Sequence, residues 1–394
     1  MQAYLGRTAI NARPTDMSRA PVPVPYLDHN IIFSQPPGRM YFNAVYYPNW
    51  RIYRNQPPAS LNFDVISHVF YAFAWVKPDG TVYLSDEWAD TQIQVPGAEG
   101  IPETTGCLNS FAQIKRRYNR LRVVLSVGGG GKGSEPFAEV ARHPPSRDRF
   151  AQTALALVQQ FGIDGIDIDW EHPSDAQQGA DYIQLLATLR AYLPGPQYTL
   201  TSALPAGEWA LQHINLAHAS HYLDMINLMS YDFSGSWVKK CGHHAQLYTP
   251  QVPHSPDAAI SCHSAISYMV QQGVPQNKIL LGVPAYGRSF TETQGIGHSY
   301  DGHAGEEGTF EYQDLPRPGA TEYVDEQIGA AYCVGGDGGF VTYDNPRTVQ
   351  MKAGYVRQNG LAGLFYWTGT GDVSGHTSKD RSLVYNGFLG LFPQ

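Results

Sequence analysis

The run Asp164-Gly165-Ile166-Asp167-Ile168-Asp169-Trp170-Glu171 alternates apolar and acidic residues at the two-residue period of a β-strand. Asp167, Asp169 and Glu171 therefore project to one side, and Ile166, Ile168 and Trp170 to the other. Following Phe161-Gly162-Ile163, the run reads as a buried strand. In a barrel strand the apolar set must meet surrounding helices, which leaves the three carboxylates aimed inward and toward the strand's carboxyl end.

On either side of this run, short apolar segments alternate with helix-like stretches, the order of repeated strand–helix units around a parallel sheet. Strands are expected near Phe42–Tyr47, Ile66–Ala74, Leu121–Val127, Ile163–Asp169, Tyr198–Leu204, Leu223–Ser230, Ile279–Tyr286 and Leu361–Trp367. Eight such units predict an α/β fold, a (β/α)8 TIM barrel. Helices are expected between them, for example over Asp175–Tyr192, where Tyr182, Leu185, Leu186 and Leu189 recur at helical spacing and Ser174 can cap. The link between the seventh and eighth strands is far longer than usual, and its Gly, Tyr and Thr content predicts a small α+β insertion domain. The expected organisation is a Pro-rich N-terminal arm at residues 1–40, a catalytic barrel at residues 41–288 and 345–394, and the insertion at residues 289–344.

Composition narrows the partners. A net charge of −8 in 394 residues argues against nucleic acid, whose phosphates demand clustered Lys and Arg. No apolar run reaches the roughly 20 residues needed to cross a bilayer, so no membrane partner is expected. Aromatics are 12% of the chain, with 25 Tyr and 7 Trp, a stock of flat side chains that can stack on ligands. Cys107, Cys241, Cys262 and Cys333 are too few and scattered for a disulfide scaffold and read as free thiols. Residues 2–7 hold no apolar leader, which predicts a cytoplasmic or unconventionally exported protein, or an extracellular one whose leader has been removed.

Three carboxylates in one low-dielectric lumen cannot all ionise cheaply, so at least one proton should be shared and one pKa raised. A carboxylic acid protonated near neutrality is what general-acid cleavage of a glycosidic bond requires. Magnesium could use the same oxygens, and a solvated strand end could carry the same acids. The Gly-rich segment Gly128–Ser134 is not a phosphate loop, because Gly133, and not Ser or Thr, follows Lys132. Cys241, His243, His244, Cys262 and His263 match no usual zinc spacing and read as loop residues.

The run from Asp164 to Glu171 has the form Asp-Gly-x-Asp-x-Asp-x-Glu, and the chain resembles the family-18 glycoside hydrolases, particularly fungal chitinases. Ser126-Val127-Gly128-Gly129 on strand three, Met229-Ser230-Tyr231-Asp232 on strand six, Tyr286-Gly287-Arg288 on strand seven and Trp367 on strand eight carry the resemblance further, from about Tyr41 to the C-terminus. It implies a retaining mechanism in which the substrate's own acetamide attacks the anomeric carbon. Glu171 would protonate the departing oxygen and then activate water. Asp169 would hold the N-acetyl group and tune Glu171. Asp167, supported by Tyr46 and Ser126, would share its proton, and Tyr231 would position the acetamide carbonyl with Asp232 close by.

Among groove residues, the resemblance implies Trp367 as floor of the cleavage subsite, Trp237 on the leaving side and Trp50 on the far glycone side. Phe73 would pack beneath the site, Met229 and Tyr286 would contact substrate, and Arg288 would bond sugar or order the acids. Chitin or chitooligosaccharide would be the substrate of a monomer needing no metal or cofactor. Many relatives carry Trp after the Ser-x-Gly-Gly motif, whereas Gly130 stands here, which predicts a shallower glycone arm. A carbohydrate-binding lectin and an endo-β-N-acetylglucosaminidase could use the same scaffold; the intact Glu171 argues against the first.

Overall fold

A computed structural model describes residues 41–393; the arm expected at residues 1–40 lies outside the described residues. Eight parallel strands close a barrel: β1 Phe42–Pro48, β2 His68–Val76, β3 Arg122–Gly128, β4 Gly165–Asp169, β5 Thr199–Pro205, β6 Met225–Met229, β7 Ile279–Pro284 and β8 Gly363–Trp367. Each pairs with its neighbour in chain order, and β1 pairs with both β2 and β8, which completes the ring. Closure leaves the barrel without an edge strand.

The alternation in the carboxylate run is realised. Ile166 and Ile168 are fully buried against the helix layer, and Trp170 stacks on Phe137 at 5.7 Å and meets Tyr182 edge-on at 6.2 Å. Tyr182 belongs to the helix Ala176–Tyr192, which buries Leu185, Leu186 and Leu189 on the same face, worth about 2 kcal/mol each. Its cap is Asp175, which accepts the Gln178 N–H at 2.8 Å, and not Ser174. Aspartate is the better choice there because its charge also meets the positive end of the helix. Inside the barrel, Tyr46, Phe70, Val124, Leu280 and Phe365 form a packed core below the mouth.

Strand β7 stops at Pro284, two residues short of the expected end. The chain turns at Ala285, whose N–H bonds Trp367 O at 2.7 Å, and Tyr286–Phe290 then pairs antiparallel with Thr309–Glu311 and Phe340–Tyr343. Tyr286 and Arg288 thus stand on the first strand of the inserted sheet and not on the seventh barrel strand. That sheet has five antiparallel strands, completed by Ala320–Asp325 and Ala330–Gly335, and its helical part is two single 3-10 turns, Tyr312–Asp314 and Gly336–Gly338. An ion pair between Arg51 and Glu311 fastens it to the segment after β1. The four cysteines are free and buried. No helix of the described residues is long and apolar enough to cross a membrane.

Candidate active site

Strand register builds the floor of the site. Ser126 on β3 and Thr201 on β5 lie directly beside Asp167 on β4. Ser126 Oγ and Tyr46 Oη donate to Asp167 Oδ2 at 2.7 and 2.8 Å, and Thr201 Oγ1 and Asn227 Nδ2 donate to Oδ1 at 2.6 and 3.2 Å. Burial raises the Asp167 pKa, and the bonds from Thr201, Ser126 and Tyr46 pull it back. Four donors suit a carboxylate, and no hydrogen bond joins Asp167 to Asp169.

Asp169 is placed differently. It is buried, its Oδ1 has no hydrogen-bond partner, and burial with the charges of Glu171 and Asp167 pushes its carboxyl well above the usual range. Burial with no donor on Oδ1 therefore favours the neutral form of Asp169 more strongly than the donor-rich setting of Asp167 favours its own. Glu171, just past the end of β4, opens into the groove, yet the surrounding walls desolvate it, and that burial together with the Asp232 charge raises its pKa. Its own N–H donates to Ser134 Oγ at 2.8 Å, and that hydroxyl donates to Gly129 O at 2.9 Å. The Gly-rich segment makes this tie possible: Gly128 has φ +124°, and a Cβ there would fall 2.0 Å from Asp169 O.

A second cluster forms across the lumen. Asp232 Oδ1 accepts from Tyr286 Oη at 2.7 Å and Arg288 Nε at 2.6 Å. Burial pushes the Asp232 carboxyl up, but His244 and Arg288 outweigh it and hold it well below the carboxylate range. His244 is fully buried and kept neutral by that burial, with its Nδ1 3.5 Å from Asp232 Oδ1. The Arg288 guanidinium is thus the lasting source of the depression. Tyr231 Oη makes no hydrogen bond to the described residues, and burial and the neighbouring carboxylates keep it protonated.

These groups line one cavity of about 580 Å³. Tyr46, Phe73, Asp169, Glu171, Met229, Tyr231, Asp232, Trp237, Tyr286 and Trp367 all line it. Phe73 stacks on Trp367 at 5.8 Å, meets Trp50 at 6.2 Å with the rings tilted, and lines the cavity. Asp167 and Ser126 sit below the cavity, Trp50 lies outside it, and Arg288 opens onto an adjoining polar pocket with Arg51 and Glu311. A Cβ at Gly130 would stand 3.7 Å from Glu171 Oε1, so the Gly-rich segment borders the acid itself. Sequence reading missed Thr201, Asn227, Ser134, His172 and Trp209, the last two also on the cavity wall. Among the described residues no three His, Cys, Asp or Glu could hold a metal. Cys241 packs with Phe290 and Phe340, and His263, which lies on the helix Cys262–Gln271 and not in a loop, bonds Tyr355 at 2.8 Å.

The model of the family described as glycosyl hydrolases family 18 matches residues 43–372, nearly the whole barrel with its insertion. The chain belongs to glycosyl hydrolases family 18. Within this family it is 35% identical over 374 residues to chitinase 1 of Aphanocladium album, covering 91% of this chain and 87% of that one. Identity to endochitinase 1 of Metarhizium robertsii is also 35%, over 86% and 83% of the two chains. Among solved structures, a chitinase from Bacillus thuringiensis superposes with a TM-score of 0.79 at 26% identity, over 90% of this chain and 70% of that one. Membership makes this family-18 protein a glycoside hydrolase on a barrel whose mouth, as in other TIM barrels, carries the site.

Proposed function

We propose that this hydrolase cleaves the β-1,4 linkages between N-acetylglucosamine units of chitin and chitooligosaccharides, with retention and with the substrate's acetamide as nucleophile. One observation carries the reading: the same cavity is lined by a buried acceptor without a partner, Asp169 Oδ1, and by Tyr231, whose Oη makes no hydrogen bond to the described residues. That pair is the complement of an amide, whose N–H needs an acceptor and whose carbonyl needs a donor. Asp232, the remaining acid of the cavity, is committed to Tyr286 and Arg288 and does not offer a free nucleophile. The names of the relatives, chitinase and endochitinase, support the same substrate.

Glu171 protonates the glycosidic oxygen as the acetamide oxygen attacks C1 and the C1–O bond to the leaving sugar breaks. Asp169 takes the acetamide N–H and stabilises the positive charge that develops there, while Tyr231 orients the carbonyl oxygen. Glu171, now a carboxylate, removes a proton from water, which attacks C1 from the side the leaving sugar vacated and restores the acetamide. Trp367 supplies the apolar floor for the reacting ring.

Glu171→Gln tests the assignment: turnover of N-acetylchitohexaose should fall by a factor on the order of 10³ or more, with oligosaccharide binding retained. Proton NMR of wild-type products should show the β-anomer first. Full activity in the mutant, α-anomeric products, or release of N-glycans in place of chitooligomer cleavage would each defeat the reading.

A further inference from the structure

Trp209 and Trp237 expose 63% and 57% of their surface, and both line the cavity that holds Glu171. Single exposed tryptophans are ordinary, but two bordering one concave site are an apolar surface awaiting a ligand. Each indole lies against a glycine two residues earlier. A Cβ at Gly207 would stand 2.2 Å from Trp209 Nε1, and one at Gly235 would stand 2.4 Å from Trp237 Cη2. The chain thus repeats one device, Gly207-Glu208-Trp209 after β5 and Gly235-Ser236-Trp237 after β6. Glycine lets the ring lie close on the backbone, which holds it in place without covering its outer face. The imidazole of His172 meets Trp209 edge-on at 5.5 Å and gives the indole a second support.

Barrel order settles which side of the acid this is. Trp50, Phe73 and Trp367 stand on or just after β1, β2 and β8, whereas His172, Trp209 and Trp237 follow β4, β5 and β6. In a ring of eight strands those two groups lie on opposite sides of the mouth, and Glu171, the residue before His172, follows β4. The step from here rests on the function proposed above: with the reacting ring over Trp367, the leaving part of the chain passes Glu171 toward the β4–β6 side.

We propose that Trp209 is a second leaving-side sugar platform, additional to Trp237, that stacks on the apolar face of a β-1,4-linked N-acetylhexosamine. Neutral aminosugar rings suit it because their axial C–H faces match an indole and no cation is needed. The site would therefore grip the leaving arm with two indoles while the segment at Gly130 offers none.

Calorimetry of N-acetylchitohexaose with the Glu171→Gln protein measures this apart from turnover. Adding Trp209→Ala should weaken Kd about fivefold to tenfold, and Trp209→Phe by less, since a ring is kept. Gly207→Ala should also weaken binding although Trp209 remains, because the new methyl displaces the indole. In the active enzyme, Trp209→Ala should raise KM for the hexamer more than it lowers kcat and shift which bond is cut. Equal Kd values across the panel with an unchanged product pattern overturn the proposal. A Glu171→Gln protein that fails to bind the hexamer at all sinks the function proposed above, and the platform with it.

Discussion

Tyr46 Oη donates to Asp167 Oδ2 at 2.8 Å while accepting from Asn227 Nδ2 at 2.9 Å, so one hydroxyl both stabilises a buried carboxylate and orders another of its donors. Tyr46→Phe removes a donor from Asp167 and an acceptor from Asn227 in one change. Leaving such groups unsatisfied costs about 1–3 kcal/mol, so urea unfolding should show a loss of that size. The same change lets the Asp167 pKa climb, and kcat/KM should fall about tenfold or more. A variant as stable and active as wild type would remove Asp167 from the working set.

The pH–rate profile should report Glu171. General-acid action needs its protonated form, so kcat/KM falls as pH rises through its raised pKa. After burial, the Asp232 charge is what raises that pKa. Asp232→Asn should therefore move the alkaline limb to lower pH, besides reducing the rate. A limb that stays in place would show that Asp232 does not act on Glu171 through charge.

Sensitivity to acid has an identifiable source in His68 and His243, which burial holds down to about 4 and about 3. Below the unfolded value near 6.5 the unfolded chain binds protons that the folded one refuses, so stability falls as pH drops. For His68 alone the loss approaches the order of 3 kcal/mol by pH 4. Asp90 and Asp372, raised to about 6 by burial, act in the opposite sense, favouring the fold as pH falls from 6 toward 4. Melting curves of His68→Gln between pH 4 and 6.5 should show a shallower acid loss than wild type; parallel curves would contradict this.

Lys352 and Asp344 form a buried ion pair with 0% and 1% side-chain exposure, linking the end of the inserted sheet to the helix Pro346–Asn359. Lys352→Met leaves the Asp344 charge without its cation and should cost about 3–5 kcal/mol. Changing both, Lys352→Met with Asp344→Leu, should recover much of that loss. Chemical denaturation of the two variants reads the difference, and equal losses would show that the carboxylate is satisfied by Thr348 alone.

Much of the architecture was written locally. Strand alternation is a period-two property of neighbouring residues, so Asp167, Asp169 and Glu171 could be placed on the inner side and Ile166, Ile168 and Trp170 on the outer side from order alone. The apolar spacing in the helix Ala176–Tyr192 is equally local. Nothing local marked Thr201, Asn227 or Ser134, because each is an ordinary polar residue until another strand arrives beside it. The bond between Tyr46 and Asp167 spans 121 positions, and the pair Arg51–Glu311 spans 260. Trp209 lacked a signal for the same reason: exposure and a common cavity are properties of the closed ring.

The carboxylate run itself divides along this line. Residue order determined that three acids would share the lumen and that they could not all be charged. How differently two of them are solvated depended on closure of the barrel, because strand register brings Ser126, Thr201, Tyr46 and Asn227 to Asp167 and brings no donor to Asp169 Oδ1. Protonation follows solvation and hydrogen bonding, and both are set by neighbours distant in the chain.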